Sequence, residues 1–269
     1  MKYRFRLAAA LVSLPLLAAA GERVVSLSPA VTTLVAAVGA EDQLCGRCTA
    51  CTMPRFSHLP VAGDLGKPFT ESVLKCRATL VISDITSPQS NWEILRRCKV
   101  NVEMLPSRRM RDLPENLRRL GVLLDVRERA SALAGALEEK LDALEKTPVR
   151  RRIRAAVIIG VSPIISCGDG TFIADAVKLA GAENIAAGAG REYFILSPEF
   201  LVSAEPEVLL LIGVPEKSAR EFFRSAAFRG VPAVRENRLI FLDADTWSRL
   251  TPPLVDACQT LRRSLDALR

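Results

Sequence analysis

Cys45, Cys48 and Cys51 recur at intervals of three, with the thioether of Met53 two positions on and the chain's one histidine at His58. Sulfur and nitrogen donors at this spacing suit four kinds of chemistry. Three thiolates and an imidazole complete a tetrahedral zinc site. The runs CGRC and CTAC each have the C-x-x-C spacing of a redox pair, whose attacking thiol needs a helix N-terminus after a strand to lower its pKa. Pro54 follows closely and residues 45–60 read as a loop, which counts against that mechanism. In an oxidising compartment two of the three thiols join as a disulfide, and spacing favours no pair. A loop of sulfur side chains can also touch a bound molecule.

The rest of the chain offers little to catalysis. One histidine leaves neither a Ser-His-Asp triad nor a histidine-rich metal site, and no GxSxG, HExxH or Walker motif is present. Neither catalytic residues nor a cofactor of its own are expected. Charge narrows the partners further. The 269 residues carry a net charge of +7, but residues 1–20 hold three of the basic side chains and no acidic one, so the remainder carries only +4. The densest basic run, Arg150, Arg151, Arg152 and Arg154, has no interleaved aromatic residues to stack on bases. It reads as a solvated face or a lobe junction, and nucleic acid is not an expected partner.

The first twenty residues carry an address. Lys2, Arg4 and Arg6 precede an apolar run from Leu7 to Ala20, broken only by Ser13 and Pro15 and ending in small residues before Gly21. This is the pattern of a cleaved secretory signal, and the run is shorter than the ~20 residues that cross a bilayer. An exported, monomeric protein of a Gram-negative periplasm is expected. All seven cysteines lie beyond the signal, so at least one thiol stays unpaired within the chain. Cys167 is expected to face a cleft or to pair with Cys258.

Strands and helices alternate on both sides of one long helix. Residues 23–27 read as a strand that turns at Ser28 and Pro29 into a helix over 31–38, and 78–83 and 100–105 are further strands, each after a helical segment. Residues 126–146 differ, with Leu133, Leu137, Leu141 and Leu144 on one face and charges between them; this predicts an amphipathic helix of about 30 Å. After Pro148 strands at 153–159, 206–212 and 238–242 alternate with helices at 171–180, 216–227 and 252–268. The expected organisation is a signal peptide (1–20), an α/β lobe (21–124), a linking helix (125–148) and a second α/β lobe (149–269). Both lobes are expected to be Rossmann-like, with a ligand cleft between them that one rigid helix keeps from closing far.

Four stretches in order, RVVSLSPAVTTLVAAVGAEDQLCG (23–46), GTFIADAVKLAGAENIA (170–186), SPEFLVSAEPEVLLLI (197–212) and DADTWSRLTPPLVDA (243–257), resemble the helical-backbone periplasmic substrate-binding proteins of ABC importers. These deliver cobalamin, ferric siderophores or haem, and the pattern is closest to cobalamin-binding members. The resemblance implies a ligand between two lobes and a docking glutamate on each lobe for arginine pockets of an inner-membrane permease, here Glu71 and Glu199. It places Cys51 on a familiar position of the cleft rim, with Thr52 and Met53 in place of an acid and an aromatic.

The expected ligand contacts are Pro29, Cys48, Cys51, Met53, Trp92, Tyr193, Trp247 and Arg249, since large flat ligands are held by aromatic faces and a few placed polar groups. Only Arg191 and Arg249 are placed at the cleft as cations for an anionic siderophore. Haem wants histidine or tyrosine as an iron ligand, and Tyr193 is the second lobe's one tyrosine. A cobamide, held mostly by shape, asks least of these residues. The leading expectation is therefore corrinoid capture for an importer, with the metal arriving inside the ligand. A ferric siderophore or haem is the alternative, and a metal or thiol redox protein using Cys45, Cys48 and Cys51 stands behind both.

Overall fold

A computed structural model describes residues 21–85 and 89–268. The signal peptide expected at 1–20 lies outside them. The first lobe is built on a six-stranded sheet, with strands β1 (Val24–Ser26), β2 (Leu44–Cys48), β3 (Val61–Asp64), β4 (Lys67–Pro68), β5 (Leu80–Ser83) and β6 (Asn101–Met104). Their spatial order is β4-β3-β2-β1-β5-β6, parallel throughout except for the antiparallel pair β3 and β4. β1 and β5 are buried along their whole length, as central parallel strands covered on both faces must be. Helices α1 (Pro29–Ala37), α2 (Thr70–Lys75) and α3 (Gln89–Arg97) belong to this lobe.

Local chemistry explains where α1 begins and ends. Ser28 accepts a hydrogen bond from the Val31 N–H at 3.1 Å and Pro29 occupies the first helical turn, where a missing donor costs nothing. Gly39 follows with φ of +74°, the left-handed conformation that stops a helix with least strain in glycine.

Two helices then pack side by side, α4 (Asp112–Leu123) and α5 (Arg127–Lys146). The 20-residue α5 matches the helix expected from leucine spacing, and its buried face runs Ala130, Ala134, Leu137, Leu141 and Leu144. A Cβ at Gly121 would lie 2.5 Å from the Ala130 Cβ, so the α4–α5 approach depends on the missing side chain. Gly121→Leu should wedge the pair apart and cost about 2–3 kcal/mol, the usual range for overpacking. Denaturant midpoints would show it; an unchanged midpoint would mean that the helices separate without loss. Arg111 bonds to both Asp142 (2.5 Å) and Glu145 (2.6 Å), and Arg118 grips Glu138 through both oxygens.

The second lobe holds two sheets. Strands β7 (Ile153–Ile158), β10 (Ala182–Asn184), β12 (Val208–Ile212) and β13 (Leu239–Leu242) form a parallel sheet in the order β10-β7-β12-β13. Strands β8 (Gly160–Val161), β9 (Ile164–Cys167) and β11 (Tyr193–Ile195) form a small antiparallel sheet in the order β11-β9-β8. The helices are α6 (Phe172–Leu179), α7 (Pro198–Ser203), α8 (Glu216–Phe223), α9 (Pro232–Arg235), α10 (Ala244–Trp247) and α11 (Pro252–Asp266).

One hydrophobic core runs through both lobes and the helix between them. It contains Val31, Leu34, Leu80 and Ile82 of the first lobe, Leu117 and Leu120 of α4, Leu137 and Leu141 of α5, and Val208, Leu210, Val255 and Leu261 of the second lobe. The outer faces have cores of their own, around Val81, Trp92 and Leu95 in the first lobe and around Leu209, Phe223 and Phe228 in the second. The C-terminal helix closes the arrangement. Arg262 of α11 is 7% exposed and donates to the carbonyls of Leu144 and Thr147, both at 2.7 Å, where α5 ends.

Three arginines of the basic run have partners within the second lobe. Arg151 pairs with Glu207, Arg152 donates to the Lys178 carbonyl, and Arg154 donates to the Ala204 carbonyl.

Candidate functional site: a cleft between the lobes

The ends of β5 and β6 face the second lobe across a cleft of about 580 Å³. The first lobe supplies Asp84, Ile85 and the segment 104–108; the second supplies Gly170, Thr171, Phe172, Glu192, Tyr193 and Ser248. Strand ends open a site in this way because parallel strands deliver their following loops to one edge of the sheet. Arg108 reaches across to Glu192 at 2.9 Å, and the Met110 N–H donates to the Asp175 carboxylate at 2.8 Å. The lobes therefore touch beside the cleft as well as through α5.

Asp84 is the unusual group. Its Oδ1 is shielded from solvent and has no hydrogen-bond partner among the described residues. Burial raises its pKa, and a hydrogen bond from Ser28 offsets part of that shift. The backbone around it is pinned: Ser107 donates to the Asp84 carbonyl at 3.0 Å, and Ser83 donates to the Ile85 carbonyl at 3.1 Å. Tyr193 stands opposite, on β11, with half of its surface exposed. Burial, then the nearby Cys167 and Glu192, push its phenol up to about 12, so it stays protonated at neutral pH.

The other expected contacts are not among the residues that line this cavity. Trp92 and Trp247 are 4% and 2% exposed and pack in the cores, so neither gives its face to the cleft. Asp243 accepts from the Thr246 N–H at 2.8 Å and fixes the turn that puts Trp247 inward, while Ser248 lines the cleft. Arg249 pairs with Asp245 at 2.6 Å. Arg191 is exposed, and the arginine that lines the cleft is Arg108. Pro29 is half-buried at the start of α1, and Met53 is held near it through the Thr33 hydroxyl, 3.7 Å from the sulfur.

The cysteine segment also differs from expectation. Residues 44–48 are a strand, not a loop, because they pair with β1 and β3 on either side. Alternation along β2 divides its two thiols: Cys45 packs with Cys76 against the outer core, while Cys48 is fully buried in the shared core, where Cys51, beyond the strand, is buried too. Buried thiols there offer no soft contact to a ligand. Burial raises the pKa of Cys48 and takes Cys45 up to about 11, the reverse of what a redox nucleophile requires. His58 is exposed, and no group of three or more metal-ligating side chains occurs among the described residues. Cys167 and Cys258 are both buried free thiols.

A model of the periplasmic binding protein family matches residues 24–246. The chain belongs to that family. Its members are substrate-binding proteins, and the two-lobed architecture is shared by solved structures. A vitamin B12-binding protein of Pectobacterium carotovorum subsp. carotovorum is 24% identical over 254 residues, covering 92% of this chain and 89% of that protein. The periplasmic haem-binding protein RhuT from Roseiflexus sp. RS-1 superposes with a TM-score of 0.80 at 24% identity, over 93% of this chain and 100% of that one. The periplasmic vitamin B12-binding protein BtuF of Vibrio cholerae gives 0.80 at 21% identity, over 92% and 98%. In this periplasmic binding protein Glu71 and Glu199 both lie on the surface. Glu71 leaves 82% of its side chain exposed beside Lys75, and Glu199 is exposed in the first turn of α7.

Proposed function

We propose that this periplasmic binding protein captures a cobamide in the cleft and delivers it to the permease of an ABC importer. The observation that carries the choice of ligand is Asp84. Asp84 lines the cleft, and a carboxyl group there favours a ligand that donates hydrogen bonds over one that brings further carboxylates. The amide side chains of a corrinoid do so; the carboxylates of haem or of an anionic siderophore do not. Glu192 adds a second acidic group, and the cleft arginine, Arg108, is already paired with it. The vitamin B12-binding relative, aligned over most of both chains, supports the same choice.

A haem reading draws on Tyr193, whose half-exposed phenol is the cleft group able to ligate ferric iron. Calorimetry with cyanocobalamin and absorption titration with haemin separate the two. Saturable binding of cyanocobalamin is expected, with no shift of the haemin band. A haemin band that shifts, and loses the shift in Tyr193→Phe, would transfer the assignment to haem.

A further inference from the structure

Two polar contacts join the lobes beside the cleft, and one of them can open without uncovering any core. The Arg108 guanidinium meets the Glu192 carboxylate at 2.9 Å, and both side chains line the cleft with half or more of their surface in solvent. Their backbones, by contrast, are fixed. The Arg108 and Arg109 N–H groups donate to the carboxylate of Asp112, a buried residue at the start of α4, at 2.8 and 2.9 Å. The Glu192 carbonyl accepts from the Gly168 N–H at 3.0 Å, just beyond β9. Arg108 also lines a neighbouring cavity of about 500 Å³ that shares Gly170 and Thr171 with the cleft, so its side chain stands where the two spaces meet.

We propose that the Arg108–Glu192 pair is a clasp across the cleft, and that its opening, instead of a wide parting of the lobes, sets how fast ligand enters and leaves. This rests on the cleft between the lobes as the ligand site. The frame leaves little room for hinge motion. One continuous core joins the lobes through α5, and the Met110 N–H of the first lobe donates to Asp175 of the second at 2.8 Å. Parting the lobes far would expose that apolar surface, at a cost proportional to the area uncovered. Opening the clasp costs far less, because an ion pair largely in water holds only weakly. The clasp then acts as a pre-equilibrium: ligand passes in the open fraction alone, so the pair slows passage in both directions by the factor that it favours the closed form.

Stopped-flow association and displacement of cyanocobalamin on the full chain test the clasp. Arg108→Gln and Glu192→Gln should each speed both association and dissociation about two- to fivefold, the range that an exposed ion pair can hold back. Loss of a ligand contact mainly speeds dissociation, so faster association is the decisive readout. The swapped protein Arg108→Glu/Glu192→Arg should return toward wild-type rates. High salt should bring wild type up to the single variants by screening the pair. Association rates unchanged in both single variants would overturn the proposal, as would a swapped protein that exchanges ligand as fast as they do. If wild type gives no signal with cyanocobalamin, the corrinoid reading fails and the same comparison is made with haemin, whose passage the clasp also delays. A wild-type chain that takes up neither ligand sinks the clasp together with the cleft as ligand site.

Discussion

Asp84→Asn should make the empty protein more stable and the ligand bind less well. Burial holds the Asp84 pKa above its ordinary value. Between that ordinary value and the raised one, the folded state keeps a proton that the unfolded chain has released, so stability falls as pH rises through the window. The penalty is fully present above the folded pKa. Removing the charge should therefore relieve about 1–2 kcal/mol at neutral pH, within the usual cost of an unsatisfied buried group. Melting temperature would rise by about 2–8 °C for a chain of this size, and the gain should shrink on acidification. Affinity for cyanocobalamin should fall about tenfold in Asp84→Asn and further in Asp84→Ala, as loss of a hydrogen bond to a charged group implies. Calorimetry across pH checks both halves. Tighter binding of cyanocobalamin by Asp84→Asn would show that the carboxyl is not the ligand's acceptor.

Arg262→Met should cost about 3 kcal/mol, the largest loss expected from a single side chain outside the apolar core. Methionine keeps most of the buried stem but leaves the Leu144 and Thr147 carbonyls without the two 2.7 Å bonds that end α5. Each is a charged bond to an orphan carbonyl in a nearly closed environment, where an unmade partner costs about 1–3 kcal/mol. Melting temperature should drop by about 6–12 °C. Arg262→Lys, able to reach one carbonyl, should fall between. Thermal unfolding of the two variants decides it; equal loss in both would assign the effect to packing instead of hydrogen bonding. Ligand affinity at a temperature well below the transition should stay as wild type, because neither carbonyl lines the cleft.

The lobes and the helix between them can be read from the sequence because they rest on local pattern. Leucine spacing locates α5 to within a residue of its ends, and β-branched runs mark β1, β5, β7 and β12. What escapes are elements set by distant partners. β2 carries Gly46 and three polar or sulfur side chains, so its strand character comes from pairing with β1 and β3. The antiparallel sheet of β8, β9 and β11 is made of short strands, two to four residues each, that no window of periodicity resolves. Helix α4 is absent from the expected elements although Leu113, Leu117 and Leu120 have helical spacing.

The site is legible only in part. Tyr193 lies at the cleft, but rarity is a poor guide to exposure for Trp92 and Trp247, whose large apolar area favours the core. Asp84, Arg108 and Glu192 are not among the expected contacts. A signal exists for the first: an acid placed immediately after a fully buried strand, where the chain leaves the sheet edge that opens a site.

The shared core has a consequence for how the chain is made. During synthesis the first half emerges before the second, and Val31, Leu34, Leu117 and Leu120 belong to a core that Val208, Leu210, Val255 and Leu261 complete. The nascent N-terminal half therefore carries a bare apolar wall until the last helix arrives. A chain cut between the lobes would yield halves prone to aggregate, and a chaperone that shields the early half would raise the yield of folded protein.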